Sequence, residues 1–305
     1  MSRILTPNLN YEKMKSDICI WLVTTDHLED TLWFREDEDF KVGMNYVAVL
    51  VAGMPVFILA FILMSNHVHF VLMGTEADAK AFINEYKRRY SKYYQRKYGS
   101  AKFLKKNDFD IQLIPFDDEA PERAIAYVLM NCVAAKICSH PSQYPWCSGN
   151  VLFDERTPRG TRVDALSNRA LIRITHSSRS DLPGHWLIGE DGYVLPSSYV
   201  RVDYVENLFR NPSRLDYFLR TSSKARKRLE SGPDAQPSFK DQTILIALPE
   251  LCRALYGTAS FEEINDEQKK EVLRQLRYRF SSNVFQLARV VGLSYEEAAR
   301  LMDSQ

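Results

Sequence analysis

The chain has almost no net charge: 40 Lys and Arg stand against 39 Asp and Glu, leaving +1 over 305 residues. That balance excludes a globally basic or acidic protein, so any nucleic-acid footprint must be local. There is no uninterrupted apolar run of membrane length. The longest, Val47–Met64, is broken by Gly53 and Pro55 and ends at polar residues. It reads as a helix end and a buried strand, with no membrane span. The opening MSRILTPNLN has no basic segment leading into an apolar one, so no secretory signal is expected. The five cysteines (Cys19, Cys132, Cys138, Cys147, Cys252) form no CxxC pair and no metal-ligand spacing. Their odd number points to reduced thiols and a cytoplasmic location. No internal repeat is present. What remains is ordinary globular composition, 45% hydrophobic and 26% charged, in a length that suggests about two domains.

Local patterns predict a definite order of elements. Residues 17–25 (DICIWLVTT) read as a strand and 36–53 as a helix that starts acidic and stops at Gly53. Residues 56–64 (VFILAFILM) form a buried strand, joined through a Ser65-Asn66 turn to a second strand, 67–74. A long helix covers 76–99, with Glu76 and Asp78 in its first turn and Gly99 at its end. A strand over 109–116 and a helix over 117–139, with Pro121 near its start, complete the first half. The order β-α-β-β-α-β-α, with a central hairpin, predicts an α+β fold: a ferredoxin-like antiparallel sheet with helices on one face. Residues 150–195 are rich in Gly, Pro, Ser and Arg and read as a connector with little periodic structure. Residues 199–219 are helical on both sides of Asn211-Pro212, and 223–242 read as a charged linker before a helical tail. The expected organisation is 1–150, a connector over 151–222, and a tail over 223–305.

The stretch FILMSNHVHFVLMG (61–74) places His67 and His69 one residue apart among Phe, Leu, Val and Met. On a strand, residues i and i+2 share a face, so the two rings point the same way. Neutral imidazoles among apolar neighbours need hydrogen-bond partners. A divalent metal accounts for both, taking a neutral nitrogen from each ring. Two structural histidines with satisfied hydrogen bonds are the competing reading. On the 117–139 helix, Tyr127 and Asn131 are four residues apart and share a face. Asn131 offers a carbonyl oxygen suited to Mg²⁺ or Mn²⁺, and Tyr127 a phenol able to form a covalent intermediate. A core tyrosine with a bonded hydroxyl is the plain alternative.

LMSNHVH resembles the HUH motif (His, hydrophobic, His) of single-tyrosine transposases. AYVLMNCVAAKICSHPSQYPWCS is similar to the tyrosine-helix segment of REP-associated tyrosine transposases, which commonly runs Tyr-Ile-x-x-Asn-Pro and then Tyr-Pro-Trp-Ser-Ser. The resemblance spans about residues 15–150. It implies a HUH nuclease domain with His67, His69 and Asn131 as metal ligands, Mg²⁺ or Mn²⁺ as cofactor, and Tyr127 as nucleophile. The implied activity is strand transfer on single-stranded DNA at repetitive hairpins through a 5′-phosphotyrosine, by a monomer or homodimer. The sequence departs from the pattern at Ser65, where the family often has Pro. Cys132 replaces the Pro after Asn131, Cys147 replaces a Ser, and the Trp usual before the last strand is missing from FLKKNDFDIQ.

The charge is local after all. Residues 80–106 carry ten Lys and Arg against Glu85 alone, with Tyr86, Tyr90, Tyr93, Tyr94 and Tyr98 interleaved. Cations that track a backbone and rings that stack on bases make a single-strand surface. Lys87, Arg88, Arg89, Lys92, Arg96 and Lys97 are the expected DNA contacts, against the alternative of a solvated helix face over core tyrosines. Residues 283–303 resemble a helix-turn-helix, with Gly292 in the turn and Ser294 and Glu297 as a capping box. A DNA- or RNA-binding protein of the same fold without catalysis is the alternative to the enzyme. An unrelated metallohydrolase would leave the basic helix and Tyr127 unexplained.

Overall fold

A computed structural model describes residues 18–25, 32–99, 104, 108–117, 119–135, 137–177, 181–222, 241–280, 282 and 284–303. His27, Lys102, Lys105 and Lys106, and the linker over 223–240, lie outside them.

The first half follows the predicted order: β1 (Cys19–Thr24), α1 (Asp37–Gly53), β2 (Phe57–Leu63), β3 (Val68–Gly74), α2 (Glu76–Tyr98), β4 (Asp110–Ile114) and α3 (Ala120–Leu129). The strands form one antiparallel sheet in the order β2-β3-β1-β4, so the fold is α+β. The helix starts have local causes. Glu36 and Asp39 form a capping box at the head of α1, and Thr75 Oγ1 accepts from the Asp78 N–H at the head of α2. Gly99, at φ 65°, ends α2 by donating to Gln95 O.

The helices do not all lie on one face, contrary to the expectation. Phe70 packs its ring against Phe82 and Tyr86 of α2, whereas its neighbour His69 meets Tyr127 of α3. Successive strand residues point to opposite faces, so α2 and α3 cover opposite sides of β3. This is why β2 and, apart from His69, β3 are apolar rather than alternating: both faces are buried. The outer edge of β2 is also covered. Leu63 N donates to Trp146 O, Ser148 N to Phe61 O and Arg201 N to Ile58 O.

The helix expected over 117–139 is shorter and broken. α3 stops at Leu129, and a short α4 (Asn131–Ala134) follows Met130. The Asn131 side-chain amide donates to the carbonyls of Tyr127 and Val128. An asparagine bonding into its own preceding turn competes with the regular ladder.

Residues 151–222 are more ordered than their composition suggests. They hold β5 (Thr161–Arg162), α5 (Asn168–Thr175), β6 (Leu187–Ile188), α6 (Val202–Phe209) and α7 (Pro212–Thr221). Leu171, Trp186, Val194, Val205 and Phe218 belong to the same apolar cluster as the sheet. Asn45 of α1 ties this segment down, donating to Ile174 O and accepting from Val194 N. Periodicity missed this because most of the packing comes from irregular backbone.

The tail folds around a second cluster, including Ile244, Leu251, Leu273, Leu276 and Leu287. Its helices are α8 (Asp241–Tyr256), α9 (Asp266–Phe280), α10 (Val284–Val291) and α11 (Tyr295–Asp303). The Ser294–Glu297 capping box is present, with Glu297 N bonded to Ser294 Oγ and Ser294 N to Glu297 Oε2. Among the described residues no helix is long and apolar enough to cross a membrane.

Candidate metal and nucleophile site

The two histidines and Tyr127 come together. His67 precedes β3 by one residue and His69 lies in it. Their ring centroids are 4.9 Å apart, edge to face. The Tyr127 ring stands 5.6 Å from His69, again edge to face. His69 thus contacts both other rings. It is fully buried and His67 nearly so, while Tyr127 is half-buried. The Ile125 and Val128 side chains of α3 are buried in the main core, which fixes the helix face that carries Tyr127.

One neighbour of His67 escaped the sequence reading. His67 Nδ1 lies 2.9 Å from Asn66 Oδ1. A carbonyl oxygen only accepts, so Nδ1 carries the proton and the Nε2 lone pair is kept for another partner. An outer group that sets the tautomer of a histidine is the usual company of a metal ligand. Asn66 is itself buried. The signal was an amide inside a turn, next to a histidine and among apolar residues; it read only as turn chemistry.

Asn131 sits one helical turn beyond Tyr127 and is buried. Because its nitrogen serves the carbonyls of Tyr127 and Val128, at 3.0 and 3.1 Å, its Oδ1 is the atom left to act as a ligand. Asp110 shares the histidine face, since His69 pairs with Thr24 and Thr24 with Asp110. It is two strands away from His69, about 10 Å. Among the described residues no three His, Cys, Asp or Glu side chains cluster as a metal site. The nitrogen donors here are two imidazoles, and Asn131, in the turn after Tyr127, carries an amide oxygen of the kind that Mn²⁺ or Mg²⁺ takes.

The predicted DNA contacts divide. Lys87 is corrected: it is 1% exposed, its Nζ donates to Asp108 O at 2.5 Å, and burial lowers its pKa to about 8. A lysine in that position cannot reach a phosphate. Lys97 bonds to Asp39 and Glu36, and although burial opposes its charge, these carboxylates raise its pKa. Arg88 and Arg89 both bind Glu85, whose pKa falls to about 2, mainly through the Arg88 hydrogen bond. Arg89 also reaches Ser177 Oγ. Lys92 and Arg96 are exposed. The tyrosines do not form a stacking platform. Tyr86, Tyr90 and Tyr94 are core residues, and Tyr93 and Tyr98 donate to buried Asp39 at 2.8 and 2.7 Å.

A cleft of about 490 Å³ opens between α1, α2 and the end of α5, lined by Tyr46, Tyr93, Arg96 and His176 among others. No residue of the histidine site lines it.

No protein-family profile matches the chain, and no curated protein does. One solved structure to which the chain is similar is that of a REP-associated tyrosine transposase bound to a REP hairpin. The two are 13% identical, the match covers 50% of this chain and 84% of that one, and the TM-score is 0.33. A superposition this loose decides nothing about chemistry, which has to be argued from the residues.

Proposed function

We propose that the chain is a divalent-metal-dependent endonuclease and strand transferase acting on single-stranded DNA, with Tyr127 as nucleophile. The observation that carries this reading is the cluster of three rings: His69 contacts both His67 and Tyr127. Core packing alone gives no reason for two imidazoles and a phenol on one buried face. The resemblance of LMSNHVH and of the 126–148 segment to the HUH transposases supports the same assignment.

In this reading His67, His69 and Asn131 hold Mg²⁺ or Mn²⁺, which when bound polarises the scissile phosphate and neutralises developing charge. Asn66 keeps His67 in the tautomer that presents Nε2. α3 holds the Tyr127 ring against His69. The phenolic oxygen forms a bond to phosphorus, and its proton passes to solvent, which supplies one to the leaving 3′ oxygen. The bond from phosphorus to the 3′ oxygen breaks, and that oxygen leaves as a hydroxyl. The 5′-phosphotyrosine conserves the phosphodiester, so attack by another 3′-hydroxyl rejoins DNA without a nucleotide cofactor. The domain is read as a ferredoxin-like HUH unit and the partner as hairpin-bearing single-stranded DNA.

The test is a denaturing gel for a covalent protein–DNA adduct, with single-stranded hairpin oligonucleotides, Mn²⁺, and Tyr127→Phe and His67→Ala alongside. An adduct in the wild type that both variants lose is the expected result. No adduct, with metal-independent binding of the same DNA, would overturn it in favour of a DNA- or RNA-binding protein of this fold.

A further inference from the structure

The turn that presents His67 is held from outside by the tail. Asp241, the first residue of α8, is buried. Its Oδ2 accepts from Ser65 Oγ at 3.0 Å and from Arg289 Nε at 2.8 Å. Its Oδ1 accepts from Gln286 Nε2 at 2.9 Å and Arg289 Nη2 at 3.1 Å. Ser65 belongs to the β2–β3 turn; Gln286 and Arg289 belong to α10. One carboxylate thus joins the segments that carry two distinct apolar clusters. The next residue adds a second link, since Gln242 Nε2 donates to Phe34 O at 3.1 Å. Phe34 N and Trp33 N in turn both donate to Ser65 O.

Ser65 is therefore fixed at both its side chain and its carbonyl, and the residues that follow it are Asn66 and His67. The turn is closed by Met64 N donating to His67 O at 2.9 Å. A shift of Ser65 is passed to Asn66, and Asn66 sets the ring of His67. A proline at position 65 would hold the turn by its own ring but has no hydroxyl to offer Asp241. Here a serine stands, and a carboxylate from the tail reaches its hydroxyl.

We propose that Asp241 is a positioning residue for the histidine pair, and that the C-terminal helices control the geometry of the metal site through the Arg289–Asp241–Ser65 chain of contacts. The inference rests on the proposed role of His67 and deepens it: the tail is part of the site's support.

The test uses the full chain. Mn²⁺ affinity is measured by electron paramagnetic resonance for wild type, Asp241→Asn, Ser65→Ala and the double variant, with thermal unfolding beside each. Loss of an outer-shell partner costs about 10–100-fold in metal affinity in other sites. Asp241→Asn is expected near the lower end, about tenfold, and Ser65→Ala in the same direction. The double variant should be no weaker than Asp241→Asn alone, because both break one path. Unchanged affinity in Asp241→Asn, or additive losses in the double variant, would overturn the proposal. If Asp241→Asn does not fold, Ser65→Ala decides it alone. If the wild type binds no Mn²⁺, the metal reading of the site fails separately. The ¹⁵N signals of the His67 ring then judge this inference. A tautomer shift in Asp241→Asn upholds it, and an unchanged ring overturns it.

Discussion

Replacing Lys87 by methionine separates a structural lysine from a DNA contact. The Lys87 ammonium is buried against the Phe109 ring, 5.7 Å from its centroid, and donates to Asp108 O. Burial is the main cause that lowers its pKa from the ordinary 10.5 to about 8, with Asp108 opposing. Below pH 8 both the folded and unfolded states hold the proton, and the folded state carries a penalty of about 3 kcal/mol on the charged form. Between 8 and 10.5 the folded state has lost the proton while the unfolded state keeps it, so stability rises with pH. At pH 10 roughly 1 kcal/mol of the penalty is left, a relief of about 2.5 kcal/mol from pH 7. Methionine keeps the apolar stem and removes the titration, but loses a charged hydrogen bond of about 1.5–3 kcal/mol. At pH 7 the variant should equal or exceed the wild type by about 1 kcal/mol, and by pH 10 it should fall about 2 kcal/mol below that difference. Urea unfolding of both proteins at pH 7, 8.5 and 10 reads this directly, because other titrating groups cancel between them. A difference independent of pH would refute the buried charge. A loss of single-strand affinity in Lys87→Met, with the salt slope reduced by about 0.7, would show that Lys87 reaches a phosphate after all.

Three further outcomes are expected. Tyr127→Phe should abolish the covalent adduct and leave Mn²⁺ affinity and the unfolding midpoint within error of wild type; loss of metal binding would mean that the hydroxyl is a ligand. Asn66→Ala should weaken Mn²⁺ binding by about 10–100-fold, measured by resonance titration, and an unchanged affinity would show that the His67 tautomer is set elsewhere. Asp39→Asn should destabilise by about 2–4 kcal/mol in urea, since this buried carboxylate accepts from Lys97, Tyr93 and Tyr98. Burial and Asp39 raise the pKa of both tyrosines. The wild type should therefore lose stability above pH 10, where the unfolded phenols ionise first, and Asp39→Asn should lose less over that range.

The meeting of His67 and His69 was legible because they stand at the start of one strand. The i, i+2 spacing of His67 and His69 gives their shared side without tertiary information, whereas the helix expected to carry both Tyr127 and Asn131 breaks at Met130 between them. What spacing could not give was that α3 crosses the sheet on the side away from α2. Nor could it give the contact of Asn66 with His67, which depends on a side-chain torsion inside a turn. The segment over 151–222 was illegible for a different reason. Its anchors, such as Asn45 to Ile174 O and Val194 N, are single polar contacts between distant residues, and they leave no period in the sequence.

The basic helix shows where counting charge along the chain fails. Within 80–106 the cations face one acid, so the segment reads as a field. In the folded chain the acidic head of α1 lies across from the end of α2, and Glu36 and Asp39 take up Lys97. Tyr86, Tyr90 and Tyr94 recur every four residues, which is the spacing of a helix stripe, and that stripe is buried. The spacing of the rings was the better guide, because a platform for bases needs exposed faces and a period of four on one helix side supplies a core. Of the six cations expected to meet DNA, Lys92 and Arg96 keep exposed positions and have no ion pair among the described residues. A strand bound there lies on the α2 side of the sheet, whereas His69 and Tyr127 meet on the α3 side. The exposed charge of α2 and the histidines thus lie on different sides of the sheet, and under the proposed function Lys92→Gln with Arg96→Gln should lower single-strand affinity and the salt slope while Mn²⁺ binding at the histidines stays as in the wild type.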